Sequence, residues 1–238
     1  MIEALYREEP YAKTAPARVL SHADGGVVLD RPLFYPTGGG QPGDSGRLEW
    51  DGGAMSVADT VKGAGGQSVL RPAEGEHLPP EGALVMQTLD WDRRYAHMRV
   101  HTALHLLSVV LPLPVTGGSI GAGKGRLDFD MPEAPEDRDA VEAELNELVA
   151  RDLPVTEDWI RDEELDANPT LVKTMSVQPP RGAGRVRLVR IGDGPAQVDL
   201  QPCGGTHVAR TAEIGAVRLG KIEKKGKQNR RVTIHLDG

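Results

Sequence analysis

The spacing of apolar residues changes near residue 90 of this 238-residue chain. Before that point, short alternating segments are separated by turns. The stretches "RVLSHADGGVVLD" and "GRLEWDGGAMSV" each contain an Asp-Gly-Gly triplet between two such segments. Asp-Gly in that position is a strong indication of a β-hairpin. We therefore expect residues 1–89 to form a small all-β barrel or sandwich.

Beyond residue 90 the apolar spacing becomes helical. The stretch "DRRYAHMRVHTALHLLSVVL" contains neither Gly nor Pro and is followed by Pro112. Its apolar side chains fall on one helical face: Val100, Leu104, Leu107 and Leu111. A second helix is predicted over "EDRDAVEAELNELVARD", with strands before and after it. Helices and strands in separate blocks predict an α+β domain with a largely antiparallel sheet over residues 90–238.

Composition bears on the cellular compartment. The chain has one cysteine, so its fold cannot depend on an internal disulfide, and this suits a reducing cytosol. The first residues are too acidic for a secretory signal, and the chain has no run of about 18 apolar residues that would predict a membrane span. We therefore expect a cytoplasmic protein.

Charge is distributed unevenly along the chain, whose net charge is −7. Residues 130–166 hold 15 acidic residues and three arginines, a local charge of −12, which leaves +5 for the remainder. Residues 215–238 carry seven lysines and arginines against two acids. Such a basic segment can serve an anionic partner such as RNA, or it can be a strand edge protected by lysines.

Two pairs of potential metal ligands include the only cysteine and three of the seven histidines. His101 and His105 lie four residues apart in the predicted helix, where successive turns place both imidazoles on one side. Cys203 and His207 form the second pair in "CGGTH", whose two glycines allow a tight turn. Imidazoles and a thiolate prefer Zn²⁺ to Mg²⁺ or Ca²⁺. The sequence therefore predicts one shared zinc ion, either catalytic or structural.

Two familiar enzyme motifs are approached but not completed. The histidine spacing is that of zinc proteases, yet Thr102 stands where those enzymes carry a glutamate as general base. Gly118, Gly123 and Lys124 match a phosphate-binding loop, but Gly125 replaces the Ser or Thr that binds magnesium. We therefore exclude a zinc protease and an ATPase. We expect instead a flexible Gly-rich turn with Lys124 near an RNA phosphate.

The stretch "FYPTGGGQPGDSG" is a further dense motif. Three consecutive glycines, Gly38 to Gly40, allow backbone N–H groups to approach a ligand closely. Thr37 and Gln41 flank these glycines and can offer a hydroxyl and an amide to a small polar group. The same composition also fits an ordinary glycine-rich β-turn.

Taken in order along the chain, these motifs resemble a known family. The stretches "HTALHLL", "GGSIGAGKGRLDFDM", "QPCGGTHVARTAEIG" and the basic "KGKQNRRVTI" are similar to the editing domain of alanyl-tRNA synthetase. The motif "FYPTGGGQPGDSG" is similar to the glycine-rich motif of that domain's N-terminal subdomain. No aminoacylation domain fits in 238 residues, so the chain resembles the longer type of free-standing alanyl-tRNA editing protein. The fold that this implies is a small β-barrel joined to an α+β editing domain.

The resemblance also implies an activity, the hydrolysis of mischarged tRNA(Ala), chiefly seryl-tRNA(Ala), with glycyl-tRNA(Ala) as a second candidate. The zinc ligands that it implies are His101, His105, Cys203 and His207. Thr37 and Gln41 would lie over the amino-acid pocket. Serine differs from alanine by one hydroxyl, which an apolar pocket rejects by a factor of only about 10². A hydrolytic site can require that hydroxyl instead, and Thr37, Thr102 and the zinc are candidates to recognise it.

The same resemblance gives the basic residues a partner, the acceptor end of tRNA(Ala). Arg185, Arg187 and Arg190 are candidates for its phosphates, and the principal candidates are Lys124, Lys221, Lys224, Lys225, Lys227, Arg230 and Arg231. Two other functions use part of this pattern. A non-catalytic zinc module that binds RNA would share the metal ligands and the basic segment. A zinc hydrolase of small molecules would not need the basic segment.

Overall fold

The structure, a computed structural model, describes residues 2–174 and 184–237. The chain divides into two units, Met1–Tyr95 and Ala96–Gly238. The division falls inside a 20-residue helix, Trp91–Val110 (α2), which is the first helix that the apolar spacing predicts. No helix within the described ranges is long and apolar enough to cross a membrane.

The first unit contains a closed antiparallel barrel, preceded by a short helix, Leu5–Glu8 (α1). The six strands are Thr14–Ala23 (β1), Gly26–Leu29 (β2), Gly46–Trp50 (β3), Gly53–Lys62 (β4), Ser68–Pro72 (β5) and Leu84–Leu89 (β6). Their order around the barrel is β1-β2-β5-β4-β3-β6, and β6 pairs with β1 to close it. Alternate side chains fill the interior, among them Val19, Leu48 and Met55. The predicted Asp-Gly turns join β1 to β2 and β3 to β4.

The second unit combines helices with two antiparallel sheets, which confirms the predicted α+β class. Besides α2, its helices are Arg138–Ala150 (α3) and Asp162–Ala167 (α4). Its strands are Val115–Gly121 (β7), Lys124–Asp130 (β8), Val155–Arg161 (β9), Arg185–Ile191 (β10), Asp199–Pro202 (β11), Val217–Lys224 (β12) and Asn229–Leu236 (β13). One sheet has the order β12-β13-β8-β7, and the other has the order β11-β10-β9.

Helix α2 packs closely against strand β8 at a glycine. A Cβ at Gly125 would lie 2.5 Å from Cγ1 of Val100 and 3.1 Å from Cδ1 of Leu104, so a residue without a side chain is needed for this approach. Val100 and Leu104 belong to the predicted apolar face of the helix, and both are buried. This packing fixes the helix that carries His101 and His105.

Two parts of the second unit differ from the sequence-based expectations. The stretch "GGSIGAGKG" is not a turn along its whole length, because most of it pairs in the β7–β8 hairpin and only the centre turns, with a φ of +67° at Gly123. Strand β7 could not be predicted from this stretch, because its glycines give no alternation of apolar and polar side chains. Strand β9 was not predicted either. It lies at the edge of its sheet with most side chains exposed, so no apolar pattern marks it.

Candidate metal centre

Four side chains converge in the second unit. His101 and His105 lie on successive turns of α2, whereas Cys203 follows β11 and His207 lies in the same loop. Their potential ligand atoms all lie within 4.8 Å of one another. The Sγ of Cys203 is 3.4 Å from Nε2 of His101 and 3.3 Å from Nε2 of His207. The structure therefore brings together both of the pairs that the sequence singles out.

The surroundings of Cys203 and His207 favour the forms of these side chains that bind metals. Burial raises the pKa of the Cys203 thiol, but the charge of His101 and hydrogen bonds with His101 and His105 outweigh this effect and hold the pKa well below its ordinary value. Burial, together with the charge of His101, lowers the pKa of His207 well below its ordinary value. A thiolate and a neutral imidazole are the forms that coordinate metal ions.

An aspartate lies behind His105. Nδ1 of His105 is 2.9 Å from Oδ2 of Asp199, and the ammonium of Lys173 is 2.5 Å from Oδ1 of the same carboxylate. Burial disfavours the ionised form of Asp199, yet the hydrogen bond with His105 and the charges of His105 and Lys173 lower its pKa. Burial likewise disfavours protonation of His105, but hydrogen bonds with Asp199 and Cys203 raise its pKa to about 9. Because Nδ1 faces Asp199, Nε2 is the atom that His105 can offer to a metal ion.

Thr102 lies behind His207. Its Oγ1 is 3.1 Å from Nδ1 of His207, donates to the carbonyl of Met98 at 3.0 Å and accepts the N–H of Val208 at 3.2 Å. The side chain is fully buried. These contacts use the donor and acceptor capacity of the hydroxyl. They favour a role for Thr102 in orienting His207, while its predicted part in recognising a substrate hydroxyl stays a prediction.

Arg187 supports the loop that carries Cys203. The side chain is buried, pairs with Glu157 and donates hydrogen bonds to the carbonyls of Cys203 and Gly205. A buried guanidinium with these partners is not available to an RNA phosphate. The prediction that Arg187 contacts the phosphates of tRNA is therefore wrong.

The donor set fits a metal ion. Zn²⁺ binds imidazole nitrogens and thiolate sulfurs in tetrahedral sites, and bond lengths of about 2.0 and 2.3 Å place nitrogen and sulfur about 3.5 Å apart. The two shortest separations of Cys203 Sγ from histidine nitrogens, 3.3 and 3.4 Å, are close to that value. A carboxylate and a hydroxyl behind the histidines are also typical of metal-binding imidazoles. These four residues can therefore hold a metal ion.

Comparisons with known proteins agree with this geometry. Residues 4–93 match the family of class II (A) tRNA synthetases, and residues 186–233 match the threonyl and alanyl tRNA synthetase second additional domain. The alanyl-tRNA editing protein AlaX-M of Methanosarcina barkeri is 36% identical over 247 residues, which cover 99% of this chain and 99% of that protein. The chain belongs to the AlaX family of alanyl-tRNA editing proteins.

Longer relatives contain the same region. The alanyl-tRNA editing protein AlaX-L of Pyrococcus horikoshii is 35% identical over 242 residues, which cover 95% of this AlaX-family chain and 56% of that protein. The alanine-tRNA ligase of Pyrobaculum aerophilum is 38% identical over 230 residues, which cover 92% of this chain and 25% of the ligase. The chain therefore spans about half and about a quarter of these two relatives.

The glycine-rich motif of this AlaX-family chain is built into the barrel. Thr37 is exposed, and its hydroxyl donates to the carbonyl of Thr60 at 3.2 Å and accepts the N–H of Gly43 at 2.8 Å. A Cβ at Gly43 would overlap the carbonyl of Thr60, so this glycine is required by close approach. Gln41 is fully buried and its backbone pairs with Gly38. The roles of Thr37 and Gln41 toward a substrate stay predictions.

The basic residues fall into two groups. Arg231 makes two hydrogen bonds to Asp128, at 2.8 and 2.9 Å, and Arg230 donates to the carbonyl of Pro132 at 2.6 Å. The lysines are exposed, one at the start of β8 and four in the β12–β13 hairpin: Lys124, Lys221, Lys224, Lys225 and Lys227. The hairpin therefore presents its lysines to solvent, while its two arginines also stabilise the fold.

The residues behind the candidate ligands of this AlaX-family chain were not among those predicted from the sequence. Asp199 and Gln201 alternate on the strand that leads to Cys203, and both are buried. Two polar residues on the inward face of a strand that ends at a ligand were a usable signal. Lys173 comes from a distant segment and had no local signal.

Proposed function

We propose that the protein is a free-standing deacylase that hydrolyses the aminoacyl ester of mischarged tRNA(Ala), chiefly seryl-tRNA(Ala). Glycyl-tRNA(Ala) is the second substrate. The observation that supports this proposal best is the convergence of His101, His105, Cys203 and His207. It occurs in a chain that aligns along 99% of its length with a protein named as an alanyl-tRNA editing protein.

Zn²⁺ is the metal that these four side chains would hold. When bound, it would supply a positive charge beside the ester that is cleaved, and it would act as a Lewis acid only where one of the four ligands gives way to substrate or water. The chain itself provides the thiolate and the imidazoles, and Asp199 and Thr102 keep two of the imidazoles in place. These residues thus prepare one face of the reaction site before the substrate arrives.

Discrimination against alanine would rest on the hydroxyl of the seryl group. Thr37 is exposed, and its hydroxyl, which donates to Thr60 and accepts from Gly43, has one lone pair left to accept a hydrogen bond from the seryl hydroxyl. An alanyl ester lacks that group, so a site built to pair with it keeps unpaired polar atoms. Such a loss costs about 1–3 kcal/mol, or roughly a factor of 5 to 160 in rate.

The acceptor end of tRNA(Ala) would be held through its phosphates. The exposed lysines of the β12–β13 hairpin and Lys124 provide the positive charge. Neutralising phosphates releases counterions, so binding weakens steeply as salt rises. Because charged tRNA is used where translation takes place, we propose that the protein works in the cytoplasm.

The test compares seryl-tRNA(Ala) with alanyl-tRNA(Ala), each with and without a chelator. We expect rapid release of serine, slow release of alanine, loss of activity with chelator and recovery when Zn²⁺ is returned. Cys203→Ala should lose zinc and deacylation together. His77→Ala removes an exposed histidine outside the four-residue cluster and should keep both.

Other outcomes identify the rival functions. Full activity of Cys203→Ala after loss of zinc would contradict a metal role in catalysis. Binding of tRNA without deacylation by the wild-type protein would favour a non-catalytic zinc module that binds RNA. Hydrolysis of small esters without hydrolysis of seryl-tRNA(Ala) would favour a small-molecule zinc hydrolase.

A further inference from the structure

Asp199 is a buried carboxylate that accepts hydrogen bonds from three donors. Its Oδ2 accepts Nδ1–H of His105 at 2.9 Å and the amide of Gln201 at 2.8 Å, and its Oδ1 accepts the ammonium of Lys173 at 2.5 Å. The side chain is 0% exposed. A buried carboxylate is costly unless it is paired and hydrogen-bonded. The three hydrogen-bond donors therefore compensate for the cost of burying this charged carboxylate beside His105.

The carboxylate decides which nitrogen of His105 carries the proton. An ionised carboxylate only accepts hydrogen bonds, so Nδ1 donates to Asp199, and the proton that a metal ion would displace from His105 is the one on Nε2. His105 also makes a hydrogen bond with Cys203, and its ring centroid is 4.6 Å from that of His207. With Nδ1 turned to Asp199, Nε2 is the atom of His105 that is directed toward Cys203 and His207.

The carboxylate is itself held in place. The amide of Gln201, which donates to Asp199, also lies 3.3 Å from Oγ of Ser108. The hydroxyl of Ser108 donates to the backbone carbonyl of His105 at 2.7 Å, and all these side chains are buried. Asp199 cannot rotate without breaking this set of contacts. A rigid partner behind a ligand limits the motion of the ligand and raises metal affinity.

His105 and His207 have different partners. The partner of His105 is a charged carboxylate, and that of His207 is the neutral hydroxyl of Thr102, at 3.1 Å. A carboxylate makes an imidazole a stronger donor to a metal than a hydroxyl does. Of these two ligands, His105 should therefore depend more on the group behind it.

We propose that Asp199 is a positioning residue for the metal centre, because its carboxylate fixes the tautomer and the ring orientation of His105 and so strengthens the retention of Zn²⁺. Lys173 balances the charge of this carboxylate from the other side. The inference rests on the proposed zinc site and is independent of the proposed tRNA substrate.

Zinc affinity of the full chain, measured by competition with a chromophoric chelator, tests this inference. Asp199→Asn keeps the shape of the side chain but replaces the charged acceptor with an amide. We expect it to bind Zn²⁺ about 10- to 100-fold more weakly than the wild type, with an unchanged circular dichroism spectrum of the zinc-free protein. Asp193→Asn, which alters an exposed carboxylate between β10 and β11, should keep wild-type affinity. Equal affinities of Asp199→Asn and wild type overturn the inference.

A second measurement needs no variant and stands even if Asp199→Asn does not fold. Proton-nitrogen correlation spectra of the histidine rings in the zinc-loaded wild type report which nitrogen carries hydrogen. We expect hydrogen on Nδ1 of His105 and metal on Nε2, and the reverse assignment overturns the inference. A wild type without affinity for Zn²⁺ overturns the proposed metal centre and this inference together. Zinc binding without deacylation contradicts only the proposed function.

Discussion

Arg187 donates a hydrogen bond from Nη1 to the carbonyl oxygen of Cys203 at 2.8 Å. The same nitrogen donates to the carbonyl of Gly205 at 2.9 Å, and the backbone carbonyl of Arg187 accepts the N–H of Cys203 at 3.2 Å. One residue of β10 therefore holds both sides of the turn at Gly204. The two glycines would allow this turn many conformations, but the hydrogen bonds from the buried Arg187 to its carbonyls hold it in one position.

Arg187→Lys should loosen this turn. An ammonium on a flexible stem does not reproduce the planar fork of a guanidinium that contacts two carbonyls and Glu157. We expect zinc affinity to fall about tenfold or more and the free energy of unfolding to fall by about 1–3 kcal/mol. Chelator competition and urea unfolding measure the two effects. Arg190→Lys, on the same strand but in a half-exposed pair with Asp158, is the control, and equal losses in both variants would contradict the explanation.

The hairpin lysines should control the salt dependence of deacylation. Replacing Lys221, Lys224, Lys225 and Lys227 with Gln removes exposed charge without touching the core. For each phosphate that the variant no longer neutralises, the slope of log(kcat/KM) against log salt should become shallower by about 0.7–0.9. We expect KM to rise while kcat stays the same, since these residues bind the substrate and take no part in the chemistry.

Arg231→Gln provides the contrast to the lysine variants. This arginine is hydrogen-bonded to Asp128. Its replacement should therefore lower the free energy of unfolding and change the salt slope of deacylation only slightly. A salt slope that is unchanged by the four lysine substitutions would remove the hairpin from the RNA-binding surface.

The fold was predictable where side-chain patterns are strong. Helix α2 shows an uninterrupted apolar face and ends just before Pro112, and the barrel hairpins have Asp-Gly turns. Strand β7 was missed because its glycines provide no pattern, although Ile120 in it is buried. Strand β9 was missed because it lies at the edge of its sheet and buries little apolar surface, so its sequence shows no alternation of apolar and polar residues.

The convergence of the four candidate ligands was predictable, whereas the groups that hold these side chains were not. His101 and His105 form one local pair and Cys203 and His207 form another, so the two pairs taken together predict a shared centre. Asp199 meets His105 across 94 residues of sequence, and only the fold brings them together. For the same reason Arg187 looked like an RNA-binding cation, since a sequence does not show which arginine is buried.

Asn146 should be important for the stability of the β12-β13-β8-β7 sheet. Its Nδ2 donates to the carbonyl of Val217 at 2.7 Å, and its Oδ1 accepts the N–H of the same residue at 2.9 Å. One turn earlier, Glu142 accepts the N–H of Leu219 at 2.6 Å. Strand β12 lies at the edge of its sheet, so these side chains of α3 cover backbone groups that would otherwise be open to another strand.

Asn146→Ala leaves both backbone groups of Val217 without these partners. We expect the free energy of unfolding to fall by about 1–3 kcal/mol, because unpaired buried polar groups are costly. Urea unfolding at a single protein concentration measures the loss, and the slope with urea should stay constant. Glu144→Ala, on an exposed position of the same helix, should change stability by less than about 0.5 kcal/mol. Similar losses in both variants would mean that helix α3 itself, and not the cover of β12, is affected.

The ion pair between Asp128 and Arg231 should make stability depend on pH in the acidic range. Hydrogen bonds from Arg231 outweigh the opposing effect of burial and, with Arg126, hold the pKa of Asp128 below its ordinary value of 3.8. The unfolded chain therefore binds more protons than the folded chain between these two pKa values, and stability rises with pH there. The contribution of the pair is complete above the ordinary pKa and is lost as pH falls through the lowered one.

Asp128→Asn should therefore lower the free energy of unfolding at pH 7 and have a shrinking effect as the pH falls below about 4. Urea unfolding of wild type and variant between pH 7 and pH 3 measures the difference. Glu133→Gln alters an exposed carboxylate next to β8 and should give a small difference that hardly changes with pH. A difference between wild type and Asp128→Asn that is as large at pH 3 as at pH 7 would show that the asparagine acts through packing and that the ionised pair with Arg231 does not stabilise the sheet.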